Sequence, residues 1–555
     1  MSDPSAPPFY VTTPIYYVND KPHLGHVYTT MVADVVARYH RLAGDDTFFL
    51  TGVDEHAAKV SDKAAEQRLS PQQWADRNAA EFKGVFEKLE MTHDDFVRTS
   101  SEQHKTRVTQ YVAALLDSGD VYEGQYEGWY DAGQEEYVPE NKAKELDYQS
   151  EVNGKPLIRK KEKNYFFRLS AYREQVLAHL VGEDRPRRPD GSYVFDVQPE
   201  ARRNEVVNRI KDAEDVPISR TGSGGWGIPV PGDEEQTIYV WIDALFNYLT
   251  YVDMDGRRHY WQSGATHFIA KDILWFHACI WPALILALRK CGGFDDWHGQ
   301  GPLALPRQVY SHSYWVSEKG EKMSKSLGNF LDPRAIDNYV EEFGLDALRY
   351  FLATRGPLGT TDSAFSPDLF IETYNADLAN TFGNSASRVS NMIGKYFDAK
   401  TPSGQDAKEG SDSAAAGKAG FASVMDWPSI PRQWADASFT EGARIALHIV
   451  GEVDFYIEKT APFKLAKDPE KMPEVGAILY NCIEALRIAS VLLWPFIPDA
   501  CEKFWSRIGC GAYSEALKDG DRGNLERWVQ WGQLQPGTPI EKGDPLFPRY
   551  QVEKK

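Results

Sequence analysis

Two short clusters in this chain combine residue types that can do chemistry together. The first, His23-Leu24-Gly25-His26, sets two imidazoles three positions apart around a glycine that lets a ligand approach the backbone closely. On a helix that spacing brings both rings to one turn, where they can hydrogen-bond phosphate oxygens or stack on a base. The second, Lys322-Met323-Ser324-Lys325-Ser326, follows the polar run from Ser317 to Glu321 and precedes Gly328-Asn329. Two ammonium groups on flexible stems can neutralise charge that develops as a pyrophosphate leaves, a role that needs positioning but no covalent step. Each cluster alone has a plainer reading: capping or metal-binding histidines, and a solvated lysine hairpin. Neither plain reading predicts the other cluster. His23, His26, Lys322 and Lys325 are therefore the candidate catalytic residues, and Gly25, Met323, Ser324 and Ser326 join them as candidate triphosphate contacts.

Both clusters need a scaffold that turns them toward one ligand. Phe9 to Thr13 reads as a short buried strand, Pro14 to Pro22 as a loop, and Val27, Met31, Val35 and Tyr39 as the apolar face of a helix. A strand followed by a loop and a helix places the histidines where unpaired N–H groups and the helix dipole favour phosphate. Thr47 to Thr51 gives a second strand, and Ser70-Pro71 a helix start. From Val121 short aromatic and glycine-rich segments take over, with basic stretches at 159–163 and 185–188, which predicts an inserted domain. Thr237 to Val240, Thr266 to Ala270 and Gln308 to Val316 then read as further strands of the same sheet, with a helix over Ile273 to Leu288. Beyond Ser366 helical patterns dominate, at Leu369 to Phe397, Ser438 to Lys459 and Met472 to Leu493, while Thr401 to Gly420 has the composition of a mobile loop. The predicted fold class is α/β: a Rossmann-like nucleotide-binding core split by an inserted connective domain and followed by an all-α bundle. The expected boundaries are 1–120 and 226–315 for the two core halves, 121–225 for the insertion, 316–365 for a linking segment, 366–540 for the bundle and 541–555 for a tail.

Composition sets outer limits. The 555 residues, 42% apolar and 13% aromatic, imply several packed domains. No run of about 18 uninterrupted apolar residues is present, and Ile273 to Leu288 reads as the most apolar helix, so no membrane association is expected. Met1 to Pro8 lacks the basic and apolar regions of a signal sequence, which gives a cytoplasmic expectation. Five scattered cysteines without a Cys-x-x-Cys pair argue against a disulfide framework and a zinc knuckle. The net charge of -19 argues against coating RNA indiscriminately but leaves room for a local basic track.

In the order and placement of the two clusters the chain resembles class I aminoacyl-tRNA synthetases. Over most of residues 9–500 the chain resembles the methionyl-tRNA synthetases in particular, through Tyr10-Val-Thr-Thr-Pro-Ile-Tyr-Tyr-Val-Asn19, Phe49-Leu-Thr-Gly-Val-Asp-Glu-His56, Val240-Trp-Ile-Asp-Ala244 and His267-Phe-Ile-Ala-Lys-Asp-Ile273 leading to Trp275-Phe-His277. The resemblance implies a methionine side-chain pocket of Ile15, Tyr17, Trp241, Ala244, Leu245, Tyr248 and His277, with Asp54 holding the ammonium group. It places Lys271 and Asp272 toward ATP. A thioether is apolar and polarizable, so aromatic walls with a weak donor suit it. The implied reaction joins L-methionine to the α-phosphate of Mg-ATP and then transfers it to methionine tRNA, initiator and elongator, in a monomeric enzyme.

Three departures and carry-overs qualify the resemblance. Gly128-Trp129-Tyr130 is followed by Asp131-Ala-Gly-Gln134 where relatives bear a zinc knuckle, so no structural zinc is expected. Asn384-Ser-Ala-Ser-Arg388 resembles the family's anticodon-reading N-x-x-x-R. Phe463 in Ala461-Pro462-Phe463 stands where relatives usually place a tryptophan platform. Two rivals share parts of the pattern. A nucleotidylyltransferase lacks the long helical domain, and a non-enzymatic tRNA-binding derivative has no need of intact His23, His26 and Lys325.

Overall fold

The computed structural model describes residues 6–132, 136–138, 140–221, 225–317, 320, 332–403, 439–513, 515 and 525–551. Lys322 to Ser326 and most of the 401–420 segment lie outside the described residues. Six strands build the central sheet: β1 (Pro8–Tyr17), β2 (Asp46–Asp54), β3 (Asp95–Arg98), β4 (Asp196–Gln198), β5 (Ala265–Ala270) and β6 (Gln308–His312). Their spatial order is β3-β2-β1-β5-β6-β4 and every pairing is parallel. The order reverses at β1, flanked by β2 on one side and β5 on the other, and a crevice opens at the carboxyl ends beside such a switch point.

β1 is irregular where it matters. Its register against β2 shifts between Thr12 and Ile15, across Pro14, which has no N–H for the ladder. Past the shift Ile15 pairs with Gly52 and Tyr17 with Asp54, so these side chains gather at the carboxyl edge. Helix α1 (Leu24–Ala43) follows, with Val27, Met31, Val35 and Tyr39 all buried and Gly44 closing it at φ 101°.

The insertion folds as a four-stranded antiparallel sheet of Val121–Asp131, Glu136–Val138, Ile158–Phe167 and Val216–Pro217. It has its own small core of Val138, Ala143 and Leu157, against which Trp129, Leu146 and Tyr148 pack. Two readings from sequence need correction here. The stretch 121–225 does not stay in the insertion, because β4 returns to the edge of the main sheet beside β6. Thr237 to Val240 does not join the main sheet: Asp233–Ile238 pairs antiparallel with Ser219–Thr221 and Pro229–Val230, and Val240 opens helix α2 (Val240–Thr250). The basic stretch at 185–188 is also largely absorbed into the fold. Arg185 is buried on Asp196 at 2.5 Å, and Arg188 donates to the Ser263 and Val194 carbonyls.

The apolar run after β5 is a 3-10 turn (Lys271–Ile273), a π-helical turn (Phe276–Ile280) and an α-helix (Trp281–Leu288) rather than one regular helix. Pro282 cannot donate to a carbonyl one turn back, and the wider turn accommodates its ring. The C-terminal bundle holds α3 (Asn384–Tyr396), α4 (Phe439–Thr460) and α5 (Met472–Leu493). The segment Pro469–Leu493, not 273–288, is the one helix among the described residues long and apolar enough to cross a membrane, with a mean hydropathy of 1.5; its apolar window is wholly buried inside the protein. The end of the chain folds back on the bundle: Tyr550 exchanges hydrogen bonds with Asn375 and donates to Glu342.

Core and bundle meet at a buried charge cluster. Arg349 donates to Asp34 of α1 at 2.5 Å, and Arg38 reaches the same carboxylate at 2.8 Å. Asp346, one turn from Arg349, accepts from the Ala500 amide at 2.7 Å at the start of the helix Pro498–Arg507. Burial pushes the Asp346 carboxyl up to about 7, although the Ala500 hydrogen bond and Arg349 oppose it.

Candidate active site

A cleft of about 530 Å³ opens at the switch point between β1, β2 and β5. Ile15, Tyr17, His23, Gly25, His26, Asp54, Trp241 and Asp272 all line it, so residues from 15 to 272 in the chain meet there. The two histidines hold the start of α1. His23 is its N-cap, and its Nδ1 accepts from the Gly25 amide at 3.0 Å, while His26 Nδ1 accepts from the His23 amide at 3.2 Å. Their rings stack with centroids 3.7 Å apart. A Cβ at Gly25 would come within 2.9 Å of the His23 ring, which is why a glycine stands between them.

This geometry fixes the chemistry of both rings. Each neutral imidazole carries one proton, and Nδ1 accepts from the backbone in both, so Nε2–H is the donor. Burial and the neighbouring His23 hold His26 well below its ordinary pKa, which keeps it neutral. The plain capping reading and the catalytic reading thus describe two faces of the same rings. One nitrogen finishes the helix, and the other is a donor suited to phosphate.

The predicted side-chain pocket lies deeper. Trp241 stacks on Phe276 at 4.3 Å and meets Tyr17 edge-on at 6.0 Å. Ala244, Leu245, Tyr248 and His277 are buried and do not themselves line the cleft. Tyr248 and His277 share a 2.8 Å hydrogen bond through His277 Nε2, and the other ring nitrogen lies 3.0 Å from the Ile273 carbonyl. A carbonyl only accepts, so Nδ1 carries the imidazole proton and the tyrosine hydroxyl donates to Nε2. Burial brings His277 down to about 4, so it stays neutral. His267, within 4.3 Å of the Tyr248 ring, is also held neutral by burial. The polar atoms of Tyr248, His267 and His277 are hydrogen-bonded, so the region beneath Trp241 is polarizable and uncharged.

Several predicted residues stand apart from this group. Asp272 lines the cleft, but Lys271 pairs with Asp362 at 2.7 Å and lies over the Tyr314 ring. Asn384, Arg388 and Phe463 sit on the bundle: Asn384 and Phe463 are exposed, and Arg388 contacts Asp454 at 3.4 Å.

Sequence reasoning missed a buried cluster that braces the pocket. Asp243 on α2 is gripped by His56 Nδ1 and His104 Nε2, both at 2.6 Å. Burial would raise its carboxyl, but the two facing rings outweigh that and bring it down to about 2. The cluster ties α2, which carries Trp241 and Tyr248, to the turn that follows Asp54. His312 was missed as well. It lines the cleft, shares a 2.8 Å hydrogen bond with Thr29 of α1, and is brought down to about 4 by burial.

The chain as a whole is similar to known proteins. The family model for tRNA synthetases class I (M) matches residues 9–146 and 142–390. The methionine–tRNA ligase of Halalkalibacterium halodurans is 38% identical over 98% of this chain and 79% of its own length. That of Streptomyces coelicolor is 38% identical over 98% of this chain and 97% of its own. A solved structure of Mycobacterium tuberculosis methionyl-tRNA synthetase in complex with methionyl-adenylate is similar with a TM-score of 0.82 at 32% identity, covering 98% of this chain and all of that one. The likeness extends over nearly the whole chain, and the chain belongs to the class I aminoacyl-tRNA synthetases, among the methionine–tRNA ligases.

Proposed function

We propose that the cleft activates L-methionine with Mg-ATP and that the roles divide along its length. Asp54 holds the ammonium group as a charge-assisted partner. Ile15, Tyr17, Trp241, Ala244, Leu245 and the Tyr248–His277 pair receive the thioether side chain. The methionine carboxylate attacks the α-phosphorus, the bond to the bridging oxygen breaks, and pyrophosphate leaves with its electron pair. The Nε2–H groups of His23 and His26 donate to phosphate oxygens, where charge develops in the transition state. Lys322 and Lys325, with Met323, Ser324 and Ser326, contribute from outside the described residues, and Asp272 and Lys271 flank the nucleotide. No enzyme nucleophile enters. In the second step the terminal ribose hydroxyl of methionine tRNA takes the methionyl group and AMP departs.

Asn384, Arg388 and Phe463 are proposed to read the anticodon, with the insertion approaching the acceptor end and folding on its aromatic core without zinc. The enzyme is proposed to act as a cytoplasmic monomer on initiator and elongator tRNA. The observation that carries the reading is the pair of neutral imidazoles whose Nδ1 atoms both accept from the backbone beside Asp54 and the aromatic pocket. Single-turnover adenylate formation tests it. Lys325→Ala is expected to slow that step far more than it weakens methionine binding, and an unchanged rate would refute the role.

A further inference from the structure

Among the described residues five large apolar side chains are exposed, and only two of them are aromatic: Phe455, 60% exposed, and Phe463, 41% exposed. Both belong to one corner of the bundle. On α4 the buried residues Ile449, Val450, Val453, Tyr456 and Ile457 mark the face turned to the core, and the helical period sends Phe455 to the opposite side. Asp454, its neighbour, accepts from Ser385 Oγ at 2.6 Å and from Arg388 Nη1 at 3.4 Å. Those two contacts set this stretch of α4 beside Asn384 and Arg388 on α3. α4 ends at Thr460, Ala461 turns the chain at φ 46°, and the short turn Pro462–Leu465 carries Phe463. Five residues from Phe455 to the helix end span roughly 7–8 Å along the axis, so the second ring follows closely.

From the first ring to just past the second, lysines outnumber carboxylates. Between Phe455 and Phe463 the chain holds one carboxylate, Glu458, and one ammonium, Lys459; Lys464 and Lys467 follow. All three lysines are exposed and, among the described residues, hold no ion pair, whereas Lys63, Lys105 and Lys142 elsewhere do. Carboxylates flank the stretch, Glu452 and Asp454 before it and Asp468 and Glu470 after it, but from Phe455 to Lys467 itself three lysines face one carboxylate. Flat rings beside uncompensated ammonium groups are what an unpaired nucleic-acid strand requires, bases on the rings and phosphates on the lysines.

We propose that Phe455 is a second stacking ring for a nucleobase of the tRNA anticodon loop, acting beside Phe463, with Lys459 and Lys464 on the intervening phosphates. The proposal rests on the reading that Asn384 and Arg388 contact that loop. The test measures the aminoacylation KM for a methionine tRNA transcript with the full-length chain. Methionine-dependent ATP–pyrophosphate exchange, which needs no tRNA, reports that each variant is folded. Phe455→Ala and Phe455→Leu are both expected to raise KM about fivefold to a hundredfold, since the leucine keeps bulk but loses the flat face, and Phe455→Tyr is expected to restore it. Lys459→Ala with Lys464→Ala is expected to flatten the salt dependence of binding by about 0.7 in slope per phosphate lost. An unchanged KM in Phe455→Ala, with raised values in Asn384→Ala and Arg388→Ala, overturns the proposal alone. Unchanged values in all three overturn the anticodon reading beneath it. A change in sedimentation without a change in KM assigns the surface to a second copy of the chain and also overturns it.

Discussion

Replacing His26 separates the two jobs that its ring performs. An asparagine oxygen stands near the position of Nδ1, so His26→Asn can keep accepting from the His23 amide, a bond of 3.2 Å, while it removes the Nε2–H donor. A glutamine nitrogen reaches nearer the position of Nε2, so His26→Gln keeps a donor and gives up the cap. A hydrogen bond to a charged group contributes about 1.5–3 kcal/mol, which corresponds to about a ten- to hundredfold change in rate. A lost cap costs about 1 kcal/mol of stability. His26→Asn is therefore expected to slow single-turnover methionyl-adenylate formation about ten- to a hundredfold with little change in Tm. His26→Gln is expected to lower Tm and stay within several-fold of the parent rate. Because burial keeps His26 neutral, the deficit of His26→Asn should be constant between about pH 6.5 and 8.5. Rapid-quench measurement of the adenylate with a parallel melting curve checks both arms. A His26→Asn enzyme at full rate, or a deficit that appears only as pH falls, would refute the donor assignment.

Other expectations follow from the pocket and its supports. Tyr248→Phe leaves His277 Nε2 buried without a donor, a loss of about 1–3 kcal/mol, so the KM for methionine in ATP–pyrophosphate exchange should rise about five- to a hundredfold while that for ATP holds. Asp243→Asn removes the carboxylate shared by His56 and His104, and should raise the methionine KM and lower Tm together; loss of Tm alone would make the cluster merely structural. Asp346 has a folded pKa raised from 3.8 to about 7, so its contribution to stability is complete below about pH 4 and is lost as pH rises through 7. Asp346→Asn keeps an oxygen for the Ala500 amide, and calorimetry should find it more stable than the parent at pH 8, by at most about 4 kcal/mol, and equal to it at pH 4. The same difference at both values would contradict the buried-carboxylate argument.

The parts of this molecule legible in its sequence are those written in neighbouring residues. His23 and His26 could be placed at a strand-to-helix turn because the strand before them and the helix after them have clean periods. α5 matches its sequence range residue for residue because its apolar residues are dense, with Glu474, Glu484 and Arg487 the only charges in it. Thr237 to Val240 misled because β-branched and aromatic residues also suit a short antiparallel strand running into a buried helix. β4 is three residues long, too short to show a period. The Asp243 cluster was out of reach for a different reason. Its contacts join residues 187 and 139 positions apart, and a histidine on one helix carries no mark of the carboxylate it will face. Lys271 shows the converse, since a lysine beside a cleft can as readily close on Asp362 as on a nucleotide.

The burial of α5 has a consequence for biosynthesis. During translation this helix leaves the ribosome before Pro498–Arg507 and the returning stretch that ends near Tyr550, both of which pack against the bundle. For that interval the nascent chain shows a segment as apolar as a membrane span with part of its cover still unmade. Until those stretches emerge, the helices made before it, α3 and α4 among them, are the cover available to α5, so the bundle completes its core late in synthesis.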